Sequence, residues 1–412
     1  MIRSDNILRD TRPARVGIVA ATLVVATNAL FAQTLTWLGT LGGDRSWAFS
    51  VSADGAVVVG WARNASGHHR AYRWTRATGL QDLGTLDGVD SEAYVVSADG
   101  AVVVGYARNA DGQTRAFRWT QTTGMRDLGT LGGNFSLAYG LSADGTVVVG
   151  WTTNASGRTR AFRWTQATGM RDLGALGGNN SWAFNVSPDG AVIVGEAQNA
   201  SGQNRAYRWT QATGMQDLGT LGGGRSGAVG VSAGGAVIVG FSDDASGRTR
   251  AFRWTQATGM QNLGTLSGTA WSQAEDVSAD GSVVVGWAGN ADRWRAFRWT
   301  PNRGMEDLSQ TYAGLLGGST LWEARAVSAD GRYIVGWGFN ATTQRVQGFL
   351  LDTWREGDTN GDGCVDDADL LAVLFAFGGA GTGNTRHEDI DKDGIVDADD
   401  LRSVLSNFGR GC

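Results

Sequence analysis

Between residues 46 and 88, apolar and polar positions sort into four short segments, 47–52, 56–62, 70–75 and 80–86, each alternating or β-branched. That pattern predicts four strands. The separators Ala53-Asp54-Gly55, Asn64-Ala65-Ser66-Gly67 and Ala77-Thr78-Gly79 predict hairpin loops in which glycine supplies positive φ without steric cost. The pattern then repeats with a fixed period. The tryptophan of an Arg-Trp-Thr triplet recurs at Trp74, Trp119, Trp164, Trp209, Trp254 and Trp299, every interval being 45 residues.

Four antiparallel strands per 45 residues, with only 3 prolines in 412 residues, predict one blade of a β-propeller. The turn Ser-Ala-Asp-Gly or a close variant occurs seven times, at Asp54, Asp99, Asp144, Asp189 (as Ser-Pro-Asp-Gly), Gly234 (as Ser-Ala-Gly-Gly), Asp280 and Asp330. The expectation is an all-β, seven-bladed β-propeller over residues 33–354. Residues 36–41 read as an orphan fourth strand, and the last unit stops after its third strand, near residues 348–351. Pairing the two would close the ring and remove an open sheet edge. An open solenoid gives no reason to split one unit between two ends of a chain. Residues 86–90 lack a tight turn and are expected to form the crossover between blades.

Composition adds little to the fold but helps with the address. With 42% apolar and 18% charged residues the chain reads as globular, and the turns account for its 63 glycines. One lysine, Lys392, accompanies 34 arginines; this suggests no nucleic-acid partner. Residues 1–32 carry Arg3, Arg9, Arg12 and Arg15, then an apolar run from Val16 to Ala29, then Leu30-Phe31-Ala32. They are expected to be a signal peptide rather than a membrane anchor, because the apolar run is too short to span a bilayer. The mature protein is therefore expected to be secreted or held at the cell surface, without a transmembrane segment, and its propeller to be monomeric. In an exported chain Cys364 and Cys412 either stay thiols or pair. The reading favours pairing, which would contribute on the order of 4 kcal/mol in the chain-entropy model.

After Trp354 the repeat ends, and residues 355–412 hold 13 acidic against 5 basic residues. Two stretches dominate: Asp358-Thr-Asn360-Gly-Asp362-Gly-Cys364-Val-Asp366-Asp-Ala-Asp369 and Asp389-Ile-Asp391-Lys-Asp393-Gly-Ile395-Val-Asp397-Ala-Asp-Asp400. Each puts side-chain oxygens at loop positions 1, 3, 5, 9 and 12 and a glycine at position 6. The carbonyls of Cys364 and Ile395 take position 7. Ca²⁺ takes roughly six to eight oxygens, so two ions are expected. One helix is expected after each loop, over residues 370–377 and 401–408. This segment resembles a type I dockerin, a pair of loop-and-helix calcium repeats with Asp at position 12. The resemblance implies a small α-helical, EF-hand-like domain that binds a cohesin domain on another protein in a calcium-dependent way. In that family loop positions 10 and 11 help select the cohesin; here they are Asp367 and Ala368, and Ala398 and Asp399.

The series Asp-Leu-Gly-Thr-Leu-Gly-Gly, Val-Ser-Ala-Asp-Gly, Val-Val-Val-Gly and Arg-Ala-Phe-Arg-Trp-Thr resembles the HAF-type repeats of extracellular bacterial proteins. The resemblance covers residues 34–351, with Arg in place of the name-giving His, and implies a location and a fold but no activity. Residues shared by every unit, such as Trp74, Arg73, Asp82 and their equivalents, are read as parts of the sheet. Residues that vary are free to serve a site. They fall on the first strand of each unit: Trp47, Glu92, Leu137, Trp182, Gly227, Gln273 and Glu323 at one position, Phe49, Tyr94, Tyr139, Phe184, Val229, Glu275 and Arg325 at another. If that strand is innermost, these residues line the mouth of a central channel. Trp47, Trp182, Trp271 and Trp322 are candidates for stacking on sugar rings. The expected function is a non-catalytic binding or scaffold protein whose propeller face takes a glycan or a protein. The alternative is a glycoside-cleaving enzyme using carboxylates such as Glu92, Glu275, Asp276 and Glu323. His68 and His69, in a hairpin loop, are expected to be solvated, and no Ser-His-Asp arrangement is apparent.

Overall fold

The computed structural model describes residues 33–359, 364–381, 387–391 and 393–409. The expected signal peptide lies outside them. Up to Asp352 the described chain is almost entirely strand and turn; beyond it lie two helices, Asp367–Ala376 and Ala398–Asn407. No described helix is long and apolar enough to cross a membrane.

The repeat folds into a meander of four antiparallel strands. In the first unit these are Gly42–Val51, Val57–Asn64, His69–Thr75 and Gly79–Asp82. Five further sheets are four-stranded in the same order. An eight-stranded path joins the first unit to Thr320–Val327, Tyr333–Asn340 and Arg345–Asp352 through one parallel bridge, Arg45↔Val346. Thr34–Trp37 supplies that last group with its outer strand, running antiparallel to Arg345–Asp352 from Thr34↔Asp352 to Trp37↔Phe349. The two ends of the repeat array therefore do complete one sheet.

The Val-Val-Val run explains how sheets pack. Val57 and Val59 join Ala93, Val96, Val103 and Phe117 of the following unit, while Val58 joins Ala326, Val335 and Leu350 of the preceding one. Side chains alternate across a strand, so a strand buried on both faces must be apolar throughout. The first strands, Gly42–Val51, Asp87–Val96, Gly132–Leu141, Gly177–Val186, Gly222–Val231, Trp271–Val277 and Thr320–Val327, each pack on the next, and the last packs on the first. They surround a common axis and are innermost, as the sequence reading required.

The glycine that follows the valines has a separate cause. A Cβ on Gly60, Gly105, Gly150, Gly195, Gly240, Gly286 or Gly336 would collide with a carbonyl oxygen of the adjacent inner strand, from Trp47 O in the first unit to Glu323 O in the last. At this place each inner strand bulges: Ala48 pairs with Gly60 but Ser50 pairs with Val59, leaving Phe49 outside the ladder. The bulge recurs in every unit.

Several expectations need correction. The crossover between units is residues 83–86 rather than 86–90; residues 87–90 belong to the strand Asp87–Val96. Asp82 Oδ1 accepts from the amide of Gly84, whose φ of 87° turns the chain out of the fourth strand early. Asp82 pairs with Arg70, Nε to Oδ2 3.0 Å, while Arg73 Nε donates to the carbonyl of Gly100 in the next unit's turn. Ser-Ala-Gly-Gly is not the same turn as its counterparts: without the Asp, Ala233–Gly235 forms a 3-10 turn with Gly234 at φ 63°. His69 is packed rather than solvated, stacked on Trp61 with ring centroids 3.9 Å apart and its Nδ1 2.9 Å from Glu92 Oε1.

Both C-terminal helices begin three residues before their expected starts. Asp366 and Asp397 cap them, and Asp369 and Asp400 answer from the first turn as capping boxes. The two repeats are interlocked: the amide of Gly378, after the first helix, donates to Val396 O of the second loop (2.8 Å), and that of Gly409, after the second helix, to Val365 O of the first (2.7 Å). Val365, Val373, Ile390, Val396 and Val404 form the core between them. Cys364 is disulfide-bonded; the chain's other cysteine, Cys412, lies outside the described residues.

Candidate functional site

The bulges decide what faces the axis. Phe49, Tyr94, Tyr139, Phe184, Val229, Glu275 and Arg325, one from each inner strand, line a central cavity of about 380 Å³. Its wall is asymmetric. On one side aromatic rings follow one another, Phe49 to Tyr94 at 5.4 Å, Tyr94 stacked on Tyr139 at 4.6 Å, and Tyr139 edge-on to Phe184 at 6.0 Å. On the other the wall is ionic. Arg325 Nη1 donates to Glu275 Oε2 (2.8 Å) and Glu323 Oε1 (2.9 Å). Glu275 Oε1 accepts from Gln273 Nε2 (2.8 Å) and Trp287 Nε1 (3.0 Å).

Burial pushes the Glu275 carboxyl up from its ordinary value against the pull of Arg325, and the charge of Glu323 adds to the rise. Glu323 is raised for the same first reason. Asp276 keeps a partial opening to the cavity but is enclosed by protein, and this enclosure pushes it up to about 6, against the amide of Val327 that donates to it at 3.0 Å. The two charges of Glu275 and Glu323 are thus held by one guanidinium, an arrangement that fixes side chains rather than freeing a carboxylate for attack.

Among the candidate residues, Gln273, Glu275 and Arg325 line this cavity. Trp47, Glu92 and Trp182 do not: Trp47 pairs with Trp61 and stacks on Trp337 at 4.5 Å, Glu92 pairs with Tyr106, and Trp182 with Glu196. Glu323 lies buried beside Arg325. Trp271 opens its strand and is 39% exposed, and Trp322 lies in a separate groove.

Sequence reasoning missed a second ion pair. Glu196, itself buried, binds Arg225 through both oxygens, Oε1 to Nε 3.1 Å and Oε2 to Nη2 3.2 Å. The signal was available: after the Val/Ile-Val-Gly that ends each second-strand run the next residue is Trp61, Tyr106, Trp151, Phe241, Trp287 or Trp337, and only here is it Glu.

The acidic loops form the other candidate centre. Carboxylate oxygens of Asp389, Asp391 and Asp393 lie within 4.8 Å of one another. Asp389 is 4% exposed; its Oδ2 accepts from the amide of Gly394, and its Oδ1 is buried with no hydrogen-bond partner. Asp400, wholly buried, closes the loop onto its helix, Oδ1 accepting from Ile390 and Asp391 and Oδ2 from Asp397. Asp369 does likewise for Thr359 and Asp366 in the first loop, where Asp358 is 2% exposed. Asn360 and Asp362 lie outside the described residues. The helices leave apolar side chains in solvent: Leu371, Leu374 and Phe377, Phe375 at 87% exposure, and Leu405 and Phe408.

No protein-family model matches the chain, and no curated protein matches it. Solved structures do. An oligogalacturonate lyase in complex with manganese is 14% identical over 79% of this chain and 94% of its own, with a TM-score of 0.54. The β-propeller domain of the trilobed protease from Pyrococcus furiosus is 10% identical over 78% of this chain and 95% of its own, with a TM-score of 0.52. The chain also spans 63% of TolB from Acinetobacter baumannii at 14% identity and a TM-score of 0.44. At these identities the likeness is one of fold: the repeat region is a β-propeller. The Pyrococcus domain is described as having an open velcro topology, whereas here Thr34–Trp37 pairs with the last sheet.

Proposed function

We propose that this is an exported, non-catalytic binding protein: a seven-bladed propeller presenting a ligand-binding face, joined to a dockerin-like module that takes two calcium ions and attaches to a cohesin-like partner. The observation that carries the reading is the Asp389–Asp391–Asp393 cluster, because the three carboxylates lie together and Asp389 Oδ1 is buried without a hydrogen-bond partner. Burying a lone carboxylate oxygen among like charges is costly unless a cation joins it. In the second loop Asp389, Asp391, Asp393, Asp397, Asp400 and the Ile395 carbonyl would hold the ion. In the first loop the equivalent donors are Asp358, Asn360, Asp362, Asp366, Asp369 and the Cys364 carbonyl. Calcium would neutralise the loops and stiffen the helices that carry the exposed Leu374, Phe375 and Leu405, an apolar set suited to a protein partner.

The test passes the full-length chain over immobilised cohesin domains in calcium and then in EDTA. Retention that EDTA reverses and that Asp389→Ala abolishes supports the attachment role. A chain that no cohesin retains in calcium would leave the propeller without a carrier and refute that role.

A further inference from the structure

Three departures from the repeat converge on one place, the groove of about 700 Å³ between the strand Arg293–Thr300 and the start of Thr320–Val327. First, Trp294 stands where the other units carry His69, Thr114, Thr159, Asn204, Thr249 and Val346. Second, two short helices, Leu308–Thr311 and Ala313–Leu316, replace the usual crossover. Third, Trp322 is extruded from the ladder, because Leu321 pairs with Gly338 and Glu323 with Trp337. Ser309 of the inserted helix holds this extra bulge, its Oγ accepting from the amide of Leu321 at 3.0 Å. Bulges of this kind re-aim a side chain, and they gather at functional sites.

We infer that this groove is a binding site for a neutral oligosaccharide, with Trp294 and Trp322 as its stacking walls and Trp337 between them. The rings are held in place before any ligand arrives. Trp294, 43% exposed, is backed by Trp287 at 4.6 Å and an interplanar angle of 14°. Trp322 donates its indole N–H to Thr320 Oγ1 at 2.9 Å, which satisfies its polar edge, and Phe339 lies nearly parallel to it, 6.4 Å between centroids at 13°. Trp337 meets Trp322 nearly at right angles, 86° at 5.7 Å. Preformed aromatic faces lose little entropy on binding and suit the C–H faces of pyranose rings.

The rest of the lining selects the class. Asp292, Arg293, Gln310 and Thr320 offer hydroxyl partners around the rings, and the charges in the groove balance, Arg295 being engaged by Asp307 at 3.1 Å. A balanced lining favours an uncharged, polyhydroxylated ligand over an anionic or cationic one, and the volume lies in the range of small-ligand pockets. The inference deepens the reading of the propeller as a binding platform and is independent of the calcium module.

The full-length chain would be titrated with hexamers of cello-, xylo- and manno-oligosaccharide and of N-acetylglucosamine, with tetramethylammonium as a cation probe, by tryptophan fluorescence and calorimetry. At least one hexamer should bind, and Trp294→Ala and Trp322→Ala should each weaken it by roughly tenfold or more. Trp294→Tyr should retain most of the affinity, and the exposed Val89→Ala should leave it unchanged. Near-UV circular dichroism confirms folding, and Trp294, on a surface hairpin, serves alone if the Trp322 variant unfolds. Binding of tetramethylammonium without any sugar would overturn the assignment. So would a sugar affinity lost on Phe184→Ala in the central cavity but not on the groove variants; that result would keep the propeller as a platform and reject only this groove. Absence of any sugar binding also rejects it, whatever EDTA does to attachment.

Discussion

At Gly150 the second strand of its unit passes so close to Leu137 O that a Cβ has no room. Gly150→Ala is expected to cost about 1–3 kcal/mol or more, as overpacking does, and to push Tyr139 out of line in the central cavity; urea unfolding measures the first and the near-UV spectrum the second. Asp276 gives a pH signature. Its folded value of about 6 lies above that of an ordinary aspartate, so between about pH 4 and 6 the folded chain holds a proton that the unfolded chain releases. This term therefore weakens stability as pH rises through that window and is flat above it. Asp276→Asn, which keeps the acceptor for Val327, should gain on the order of 1–2 kcal/mol over wild type at pH 7.5 and little at pH 4; an equal effect at both would refute the assignment. The shared Trp, Arg and Asp of each repeat were legible as sheet residues, whereas the glycine after the valines reads in sequence as a turn residue. The reason for that glycine was not legible, because a bulge is a relation between two strands that neither strand's pattern displays. Glu196 was visible as a lone acid at an aromatic position, but its partner Arg225 lies on the next unit's inner strand, and only the ring brings the two together.

Among the elements, the strands were read correctly in kind and misplaced at their ends by local side-chain chemistry. Asp82 turns the chain at Gly84 before the apolar pattern of residues 80–86 runs out. The helices start at capping aspartates, so Asp366 and Asp397 serve the helix as well as any metal loop. Asp397 thus has two roles in the account. Asp397→Asn, which can still cap, should keep the helix Ala398–Asn407 while weakening calcium binding in the second loop. Asp397→Ala should also cost about 1 kcal/mol of helix stability without calcium; thermal unfolding in EDTA separates the two. The inserted helices Leu308–Thr311 and Ala313–Leu316 were illegible because each is a single turn, too short to show a helical period.

Over the whole molecule, the repeat interval made the array legible, and the split unit at its ends made the closure legible. Removing residues 34–37 strips Arg345–Asp352 of its outer partner and exposes Phe349, which Trp37 meets at 6.2 Å. A loss of several kcal/mol is expected, since Leu35 and Trp37 are each worth up to roughly 1.5–3 kcal/mol on burial; an unchanged melting temperature would show that the seam carries no load. The sites were less legible than the ring. Channel-lining positions follow from bulges, and the Trp294–Trp322 groove from an insertion and a hairpin on adjacent units. The measurement that tests the account most directly is a calcium titration of the full-length chain by calorimetry, beside Asp389→Ala. The account predicts two ions for the native chain and one for the variant, with the propeller's near-UV spectrum unchanged. No calcium binding, or two ions still bound by Asp389→Ala, would contradict it.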